Sequence, residues 1–123
     1  MLTRRELIDY CLTYPDSYED YPFDEDVSAE GAWTVLRHRS NRKSFALVFV
    51  RNGILNINLK CEPMEAQFLR GVYPKTVIPA YHMNKEHWNG VLVTPELAEE
   101  ELFSWIRQSY ELTRPGIRKE KSS

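Results

Sequence analysis

The chain has 123 residues, of which 42% are hydrophobic and 28% are charged, a composition that indicates one globular domain and excludes an intrinsically disordered protein. The formal net charge of −2 excludes a uniformly basic protein of the histone type. No apolar run reaches the ~18 residues of a membrane span and no signal core follows Met1, so we expect a cytoplasmic protein without a membrane partner.

The charges are segregated along the chain. Residues 1–30 carry two basic and nine acidic side chains, a net charge of −7, whereas residues 31–61 carry six basic side chains and no acidic one. The six cations are Arg37, Arg39, Arg42, Lys43, Arg51 and Lys60. Such a segment produces a local positive field that attracts a polyanion, unless the cations form salt bridges with the acidic N-terminal third. Both interpretations are open from the sequence.

A first helix is predicted to begin after Thr3, because Glu6 follows it at the spacing of a capping box. The buried stripe of this helix consists of Leu7, Ile8, Cys11 and Leu12. Pro15 is predicted to end the helix. Residues 16–31 have no hydrophobic period and are predicted to form a loop, which packs back onto the domain through its aromatic side chains.

Three strands are predicted next, and Asn52-Gly53 joins the last two through a two-residue type I′ turn. One face of this hairpin then pairs Val50 with Leu55, Val48 with Ile57, and Ala46 with Leu59. The opposite face pairs Arg51 with Ile54, Phe49 with Asn56, Leu47 with Asn58, and Phe45 with Lys60. The earlier strand, over residues 33–39, joins through the polar turn Ser40-Asn41, which places Arg39, Arg42 and Lys43 together at its tip.

The second half of the chain is predicted to form a helix, two strands and a last helix. The first of these helices begins at Pro63 with Gly71 as its C-cap, Val77-Ile78 and residues 91–93 form strands, and Thr94-Pro95 caps the last helix. The buried face of the last helix consists of Ala98, Leu102, Trp105, Ile106 and Ser109. The fold class is therefore a two-layer α+β domain of order α-β(3)-α-β(2)-α over residues 1–113, with a five-stranded antiparallel sheet and helices on one face. Residues 114–123 are expected to form a short basic tail.

The residue patterns of catalysis and metal binding are missing from the sequence. Cys11 and Cys61 lack a nearby cysteine or histidine, so they have no zinc-site spacing, and they fit a reduced protein better than a disulfide scaffold. The sequence has neither a nucleophile elbow nor a glycine-rich phosphate loop. We therefore predict no catalytic residues, no metal and no cofactor, and we do not expect an enzyme.

Residues 81–89 are unusual because nearly every one has an aromatic or hydrogen-bonding side chain. One interpretation is an ordered turn, with Tyr81 and Trp88 anchored in the core and Asn84 at positive φ. The other is a binding surface in which cations and histidines contact an anion and aromatic rings stack on a ligand. That surface would consist of Tyr81, His82, Asn84, Lys85, His87 and Trp88.

Four segments have a distinctive residue order, namely Tyr18 to Phe23, Lys43 to Ala46, Leu59 to Cys61 and Tyr81 to Trp88. In order and spacing the chain resembles the bacterial MmcQ/YjbR family from about Leu2 to Leu112. The resemblance implies a CyaY-like or secretion-chaperone-like two-layer domain of the same element order, and it implies DNA binding without a catalytic residue. It carries over the motif positions Tyr21, Pro22, Phe23, Lys43, Phe45, Lys60, Tyr81, His82, Asn84, Lys85, His87 and Trp88.

Residues and resemblance together favour a DNA-binding or other nucleic-acid-binding domain, in which cations contact phosphates and aromatic rings stack on bases. The predicted surface comprises Arg37, Arg39, Arg42, Lys43, Phe45, Phe49, Arg51, Asn56, Asn58 and Lys60. The alternative is a protein-interaction or homodimerisation module that uses the same half-apolar sheet face. A small-ligand site at residues 81–89 is the third and least favoured hypothesis.

Overall fold

The computed structural model describes residues 2–23 and 31–116. In these residues the helices are α1 (Arg4–Cys11), α2 (Pro63–Val72) and α3 (Glu99–Thr113). The strands are β1 (Ser17–Asp20), β2 (Thr34–His38), β3 (Ser44–Arg51), β4 (Ile54–Lys60), β5 (Val77–Pro79) and β6 (Trp88–Leu92). They form one antiparallel sheet in the order β1-β2-β3-β4-β6-β5, with the three helices against one face. The predicted two-layer α+β fold class is confirmed.

The sheet of the described residues has six strands rather than the predicted five, because Ser17–Asp20 lies in the predicted loop. These residues pair with β2 in an antiparallel register. Their sequence shows no hydrophobic alternation, because all four residues are only partly buried. The two carboxylates of the strand form ion pairs with arginines of other elements. Glu19 contacts Arg5 of α1 at 2.7 Å, and Asp20 contacts Arg37 of β2 at 2.8 Å.

The β3–β4 hairpin has the predicted turn and register. Asn52 and Gly53 both have positive φ, 54° and 75°, as a type I′ turn requires. The predicted pairs on both faces are present from Arg51–Ile54 to Ala46–Leu59. The apolar face of the hairpin packs into the main core beneath the helices.

The predicted pairing of Phe45 with Lys60 is wrong, because β3 contains a bulge at Phe45. Leu36 of β2 pairs with Ala46, whereas the next residue, Arg37, pairs with Ser44, so Phe45 is the extra residue between them. The bulge turns the Phe45 ring towards the helices, where it is fully buried. Its neighbours there are the rings of Tyr14, His38 and Tyr110, at centroid distances of 6.5, 5.2 and 5.2 Å.

Helix ends are the other places where the structure differs from the sequence prediction. The capping box of α1 is present, with Thr3 and Glu6 exchanging hydrogen bonds of 3.1 and 2.9 Å. Thr94-Pro95 does not cap the last helix: residues 94–98 form a turn, and α3 begins at Glu99. Gly71 lies inside α2 rather than at its C-cap, which is Tyr73.

The buried face of α3 is as predicted, except that Ala98 is exposed ahead of the helix. Two other predicted regions are described only in part. Residues 24–30 of the predicted loop and residues 117–123 of the predicted tail lie outside the described residues.

Candidate functional site

The sheet face opposite the helices, here called the open face, carries most of the side chains assigned to binding by the sequence. Its members include Val35, Arg37, Leu47, Phe49, Asn56, Asn58, Lys60 and Trp88. The loop of residues 80–87 between β5 and β6, here called the crossing loop, lies over the centre of this face. Ala80 is fully buried there among apolar side chains of β2, β3 and β6, and the Asn58 amide donates to the Tyr81 carbonyl at 3.1 Å.

Gly90 of β6 permits this close approach of the crossing loop to the sheet. A Cβ atom at Gly90 would lie 3.1 Å from Asn58 Oδ1 and 3.5 Å from the Cα atom of Ala80. A side chain at this position would be in contact with Ala80 and would displace the Asn58 amide, which holds the Tyr81 carbonyl, by a few tenths of an ångström. Because the crossing loop lies this close, the centre of the open face is closed to solvent.

Four residues of the predicted binding surface are buried, and their assignment to that surface is wrong. Phe45 faces the helix core, and Phe49 is 1% exposed beneath Trp33. Asn56 and Asn58 are 5% and 0% exposed. In this arrangement none of the four can stack on a base or contact a phosphate.

Three of the predicted cations lie together on the turn between β2 and β3, residues 39–43, here called the basic turn. Arg39, Arg42 and Lys43 are exposed, and no carboxylate of the described residues forms an ion pair with them. Arg37, just before the turn, differs because its Nε atom lies 2.8 Å from Asp20 Oδ2. Among the described residues, Asp20 thus pairs with Arg37, and no carboxylate forms an ion pair with the basic turn.

Neighbouring elements fix the conformation of the basic turn. The Asp16 carboxylate accepts hydrogen bonds from the Ser40 backbone N–H and hydroxyl at 3.1 and 2.6 Å, and these bonds lower the pKa of Asp16. Asn41 donates to the carbonyl of Thr113 at the end of α3 and accepts from the Lys43 N–H, both at 2.9 Å. The cations therefore extend from a defined turn rather than from a mobile loop.

The other two predicted cations lie away from the basic turn. The Arg51 guanidinium, at the far end of β3, lies over the Tyr81 ring at 3.9 Å from its centroid. Lys60, at the end of β4, extends towards the Trp88 ring at 5.9 Å. The six cations of residues 31–61 therefore do not form a single patch.

Polar side chains of the crossing loop mostly hold the loop itself. Lys85 Nζ donates to the carbonyls of Ala80 and Met83 at 2.9 and 3.3 Å. Asn84 Oδ1 accepts from the backbone N–H groups of Glu86 and His87 at 2.9 and 3.3 Å. The interpretation of this segment as an ordered turn accounts for these two residues.

Other residues of the crossing loop depart from that interpretation. Trp88 is buried as predicted, but Tyr81 is 37% exposed. The residue at positive φ is His82, at 65°, rather than Asn84. Tyr81 and His82 therefore remain available at the surface.

Arg70 of α2 anchors the crossing loop, a role that the sequence did not indicate. Its guanidinium donates to the carbonyls of Lys85 and Trp88, the latter at 3.2 Å, and to Asn89 Oδ1 at 2.7 Å. Two of these three acceptors are backbone carbonyls, which every residue possesses. No residue pattern could therefore have identified Arg70 in advance.

A largely apolar pocket of about 340 Å³ opens beside the crossing loop. It is lined by Phe23, Trp33, Leu47, His82 and Met83. Phe23 is 66% exposed and lies edge-on to Trp33 at 6.4 Å, and the two ring planes meet at 86°. The sequence did not predict this pocket, although the Tyr21-Pro22-Phe23 and Tyr81-His82-Met83 segments singled out there converge on it.

Two further kinds of reactive side chain lie in the core. Burial raises the pKa of the Cys11 thiol to about 12 and that of Cys61 to about 11, so neither is a thiolate at neutral pH. Burial also lowers the pKa of His38, whose Nε2 atom lies 2.8 Å from the Thr113 hydroxyl. These groups pack the core on the helix side of the sheet and do not lie on the open face.

Within the described residues, the longest helix is α3 with 15 residues, and none of the helices has the length and apolar character needed to cross a lipid bilayer.

Solved structures with the same fold come from two other bacteria. The chain superposes on the crystal structure of the Deinococcus radiodurans protein DR2400 with a TM-score of 0.78 and 30% identity, covering 98% of this chain and 88% of the other. A crystal structure of a Pseudomonas syringae protein gives a TM-score of 0.74 and 33% identity, covering 92% of this chain and all of the other.

Two relatives of known sequence, YyaQ and YbdF, carry the description of uncharacterised proteins. YyaQ of Bacillus subtilis (strain 168) is 31% identical over 93% of this chain and 100% of its own length. YbdF of Escherichia coli O157:H7 is 36% identical over 63% of this chain and 62% of its own length. The family model described as YjbR matches residues 12–112, which is most of the chain. The chain therefore belongs to the YjbR family.

Proposed function

We propose that this protein binds nucleic acid through the basic turn, with Arg39, Arg42 and Lys43 contacting phosphates. The observation that carries this proposal is the exposure of all three cations, none of which forms an ion pair with a carboxylate of the described residues. The one carboxylate that contacts the turn, that of Asp16, is bonded to Ser40. Their positions are set by the bonds of the turn to Asp16 and Thr113, so binding does not have to order a loop first. This preorganisation supports phosphate contact by a short segment.

The expected affinity is modest. Few cations are available, and the chain as a whole carries a net charge of −2. Each phosphate contact contributes about 0.7 to 0.9 to the slope of log K against log salt. Three contacts therefore produce a clear salt dependence without the tight binding of a strongly basic protein.

The first prediction is that this binding depends on the basic turn. Fluorescence anisotropy with labelled DNA should show binding at low salt that weakens as salt rises. The double variant Arg39→Gln, Lys43→Gln should reduce the salt slope by about 1.5, because two phosphate contacts are lost. Arg42 is left unchanged because its φ of 63° makes substitution a backbone perturbation as well.

A matched control is the double variant Lys75→Gln, Arg107→Gln, which removes the same charge from exposed positions elsewhere on the domain. It should bind as the wild type does, apart from a small general electrostatic effect. Equal weakening by both double variants would show that only net charge matters and would contradict the proposal. Absence of binding by the wild type at low salt would do the same.

A second candidate function is self-association, supported by an exposed apolar stripe on α2. Met64, Phe68 and Val72 follow one another at four-residue spacing and are 85%, 63% and 50% exposed. The other exposed residues of α2, Gln67 and Gly71, carry no charge. Two copies of α2 can therefore pack this stripe about a two-fold axis, with Glu62 and Glu65 at the Met64 end of the contact. This candidate moves the predicted dimer surface from the buried sheet face to the helix layer.

The corresponding prediction concerns the oligomeric state. Multi-angle light scattering should show a dimer that dissociates on dilution, and Phe68→Asp should make the protein monomeric because the carboxylate would be buried at the interface. Phe23→Asp, at a similarly exposed phenylalanine on the other side of the sheet, should leave the dimer intact. A wild-type monomer at all concentrations would rule out self-association through α2.

A further inference from the structure

The apolar pocket lies between the three cations of the basic turn, at the start of β3, and Arg51, at its end. Leu47 at its floor is in the middle of this strand, the basic turn precedes the strand, and Arg51 ends it. At about 3.3 Å per residue, Lys43 and Arg51 are separated by about 26 Å, with Leu47 near the midpoint. An extended polyanion that runs parallel to β3, outside the crossing loop and Trp33 that cover this strand, would therefore pass the opening of the pocket and meet positive charge on both sides of it.

The walls of the pocket suit a flat aromatic group. Phe23 and His82 are both exposed at its opening, and the His82 ring lies 6.1 Å from the Trp33 ring. Leu47 and Met83 supply the remaining apolar surface. A volume of about 340 Å³ is within the range of pockets that hold small molecules and is large enough for one nucleobase.

The crossing loop keeps one wall of this pocket in place. Lys85 ties the Met83 carbonyl to that of Ala80, and Arg70 ties the loop to α2. His82 is held at a positive φ of 65°, a conformation that few non-glycine residues adopt and that places its ring beside Tyr81, with a centroid distance of 3.9 Å. The wall that the crossing loop supplies is thus held by contacts within the domain.

We propose that this pocket receives one unstacked base of single-stranded nucleic acid, whose backbone runs outside the crossing loop and parallel to β3, from the basic turn to Arg51. This inference rests on the proposed function and names its substrate. In a duplex the bases are paired and stacked, so none can enter the pocket without the cost of extrusion. Base–aromatic stacking tolerates any base, so a preference for single strands is expected with little sequence preference.

The test compares three labelled oligonucleotides by anisotropy: a single strand, the same strand with a central run of abasic sites, and the corresponding duplex. The single strand should bind the tightest. Phe23→Ala should weaken its binding about 10-fold, the effect of losing one stacking contact, and should leave the salt slope unchanged because no charge is removed. His82→Asn, which keeps a residue that tolerates positive φ, should weaken binding in the same sense.

Phe103→Ala is the matched control, because it removes the same ring from α3, on the opposite side of the sheet and away from the α2 stripe. It should change the affinity less than two-fold, with the oligomeric state measured on the same samples. As a second readout, the indole N–H resonance of Trp33 should shift on addition of the single strand and not of the abasic strand.

The possible outcomes separate this inference from the proposed function. Equal binding of the single strand, the abasic strand and the duplex, with no effect of Phe23→Ala, would overturn the base pocket. If the Arg39→Gln, Lys43→Gln variant still lost binding in that experiment, nucleic-acid binding by the basic turn would stand. Failure of all three oligonucleotides to bind would overturn both.

Discussion

Replacing Phe45 with alanine is expected to lower the free energy of unfolding by about 4 kcal/mol, within the range for removing a phenyl ring from a packed core. The ring is fully buried and contacts the rings of Tyr14, His38 and Tyr110. Its removal would leave a cavity where the end of α1, the bulge of β3 and α3 meet. Urea unfolding followed by tryptophan fluorescence would measure the change.

Phe68→Ala is the control for this prediction, since it removes the same ring from a position that is 63% exposed. Its effect on unfolding should stay within about 0.5 kcal/mol if measured at concentrations where the protein is monomeric. If instead the two variants were equally stable, the ring of Phe45 would not be in the core. It would then belong on the sheet face where the sequence had placed it.

The second large effect is expected from Arg70→Met, which should cost about 3 kcal/mol of stability. Methionine keeps much of the aliphatic length but leaves the carbonyls of Lys85 and Trp88 and the Asn89 side chain without their charged donor. Because these acceptors connect α2 to the crossing loop, the loop should also become mobile. Chemical denaturation gives the loss of stability, and amide hydrogen exchange at residues 82–88 gives the loss of order.

Arg107→Met provides the comparison for Arg70→Met, because Arg107 is an exposed arginine on α3. It should leave both stability and amide exchange in the crossing loop near the wild-type values. If amide exchange in Arg70→Met became faster throughout the domain and not first in the crossing loop, Arg70 would not be a specific anchor of that loop. In that event α2 itself would depend on Arg70.

The fold was predictable from the sequence where local chemistry determines it. Asn52-Gly53 specifies a turn of known twist, and the register of β3 and β4 follows from that turn. The bulge at Phe45 was not predictable, because it depends on how β3 pairs with β2 across the longer turn 39–43, which has no residue pattern that fixes the register as Asn-Gly does. The strand Ser17–Asp20 was missed because its carboxylates are satisfied by arginines of other elements.

The candidate site was predictable to a smaller extent. The grouping of Arg39, Arg42 and Lys43 on one turn followed from the positions of the flanking strands. The burial of Phe49, Asn56 and Asn58 was not predictable, because these residues alternate with apolar core residues along the strands, as solvent-exposed residues of a sheet do. The path of the crossing loop, which Arg70 anchors, and the position of Trp33 over Phe49 show that this face is covered.

Both outer strands of the sheet are poor templates for adding a strand from another chain. β5 has three residues and ends at Pro79, which has no N–H to donate. β1 has four residues, and Pro22 follows shortly after it, so the backbone donors and acceptors offered there are also few. Docking by β-augmentation, and the edge-to-edge aggregation related to it, are therefore disfavoured at these two strands. A partner of this domain would instead have to recognise side chains, as a phosphate backbone or a second α2 would.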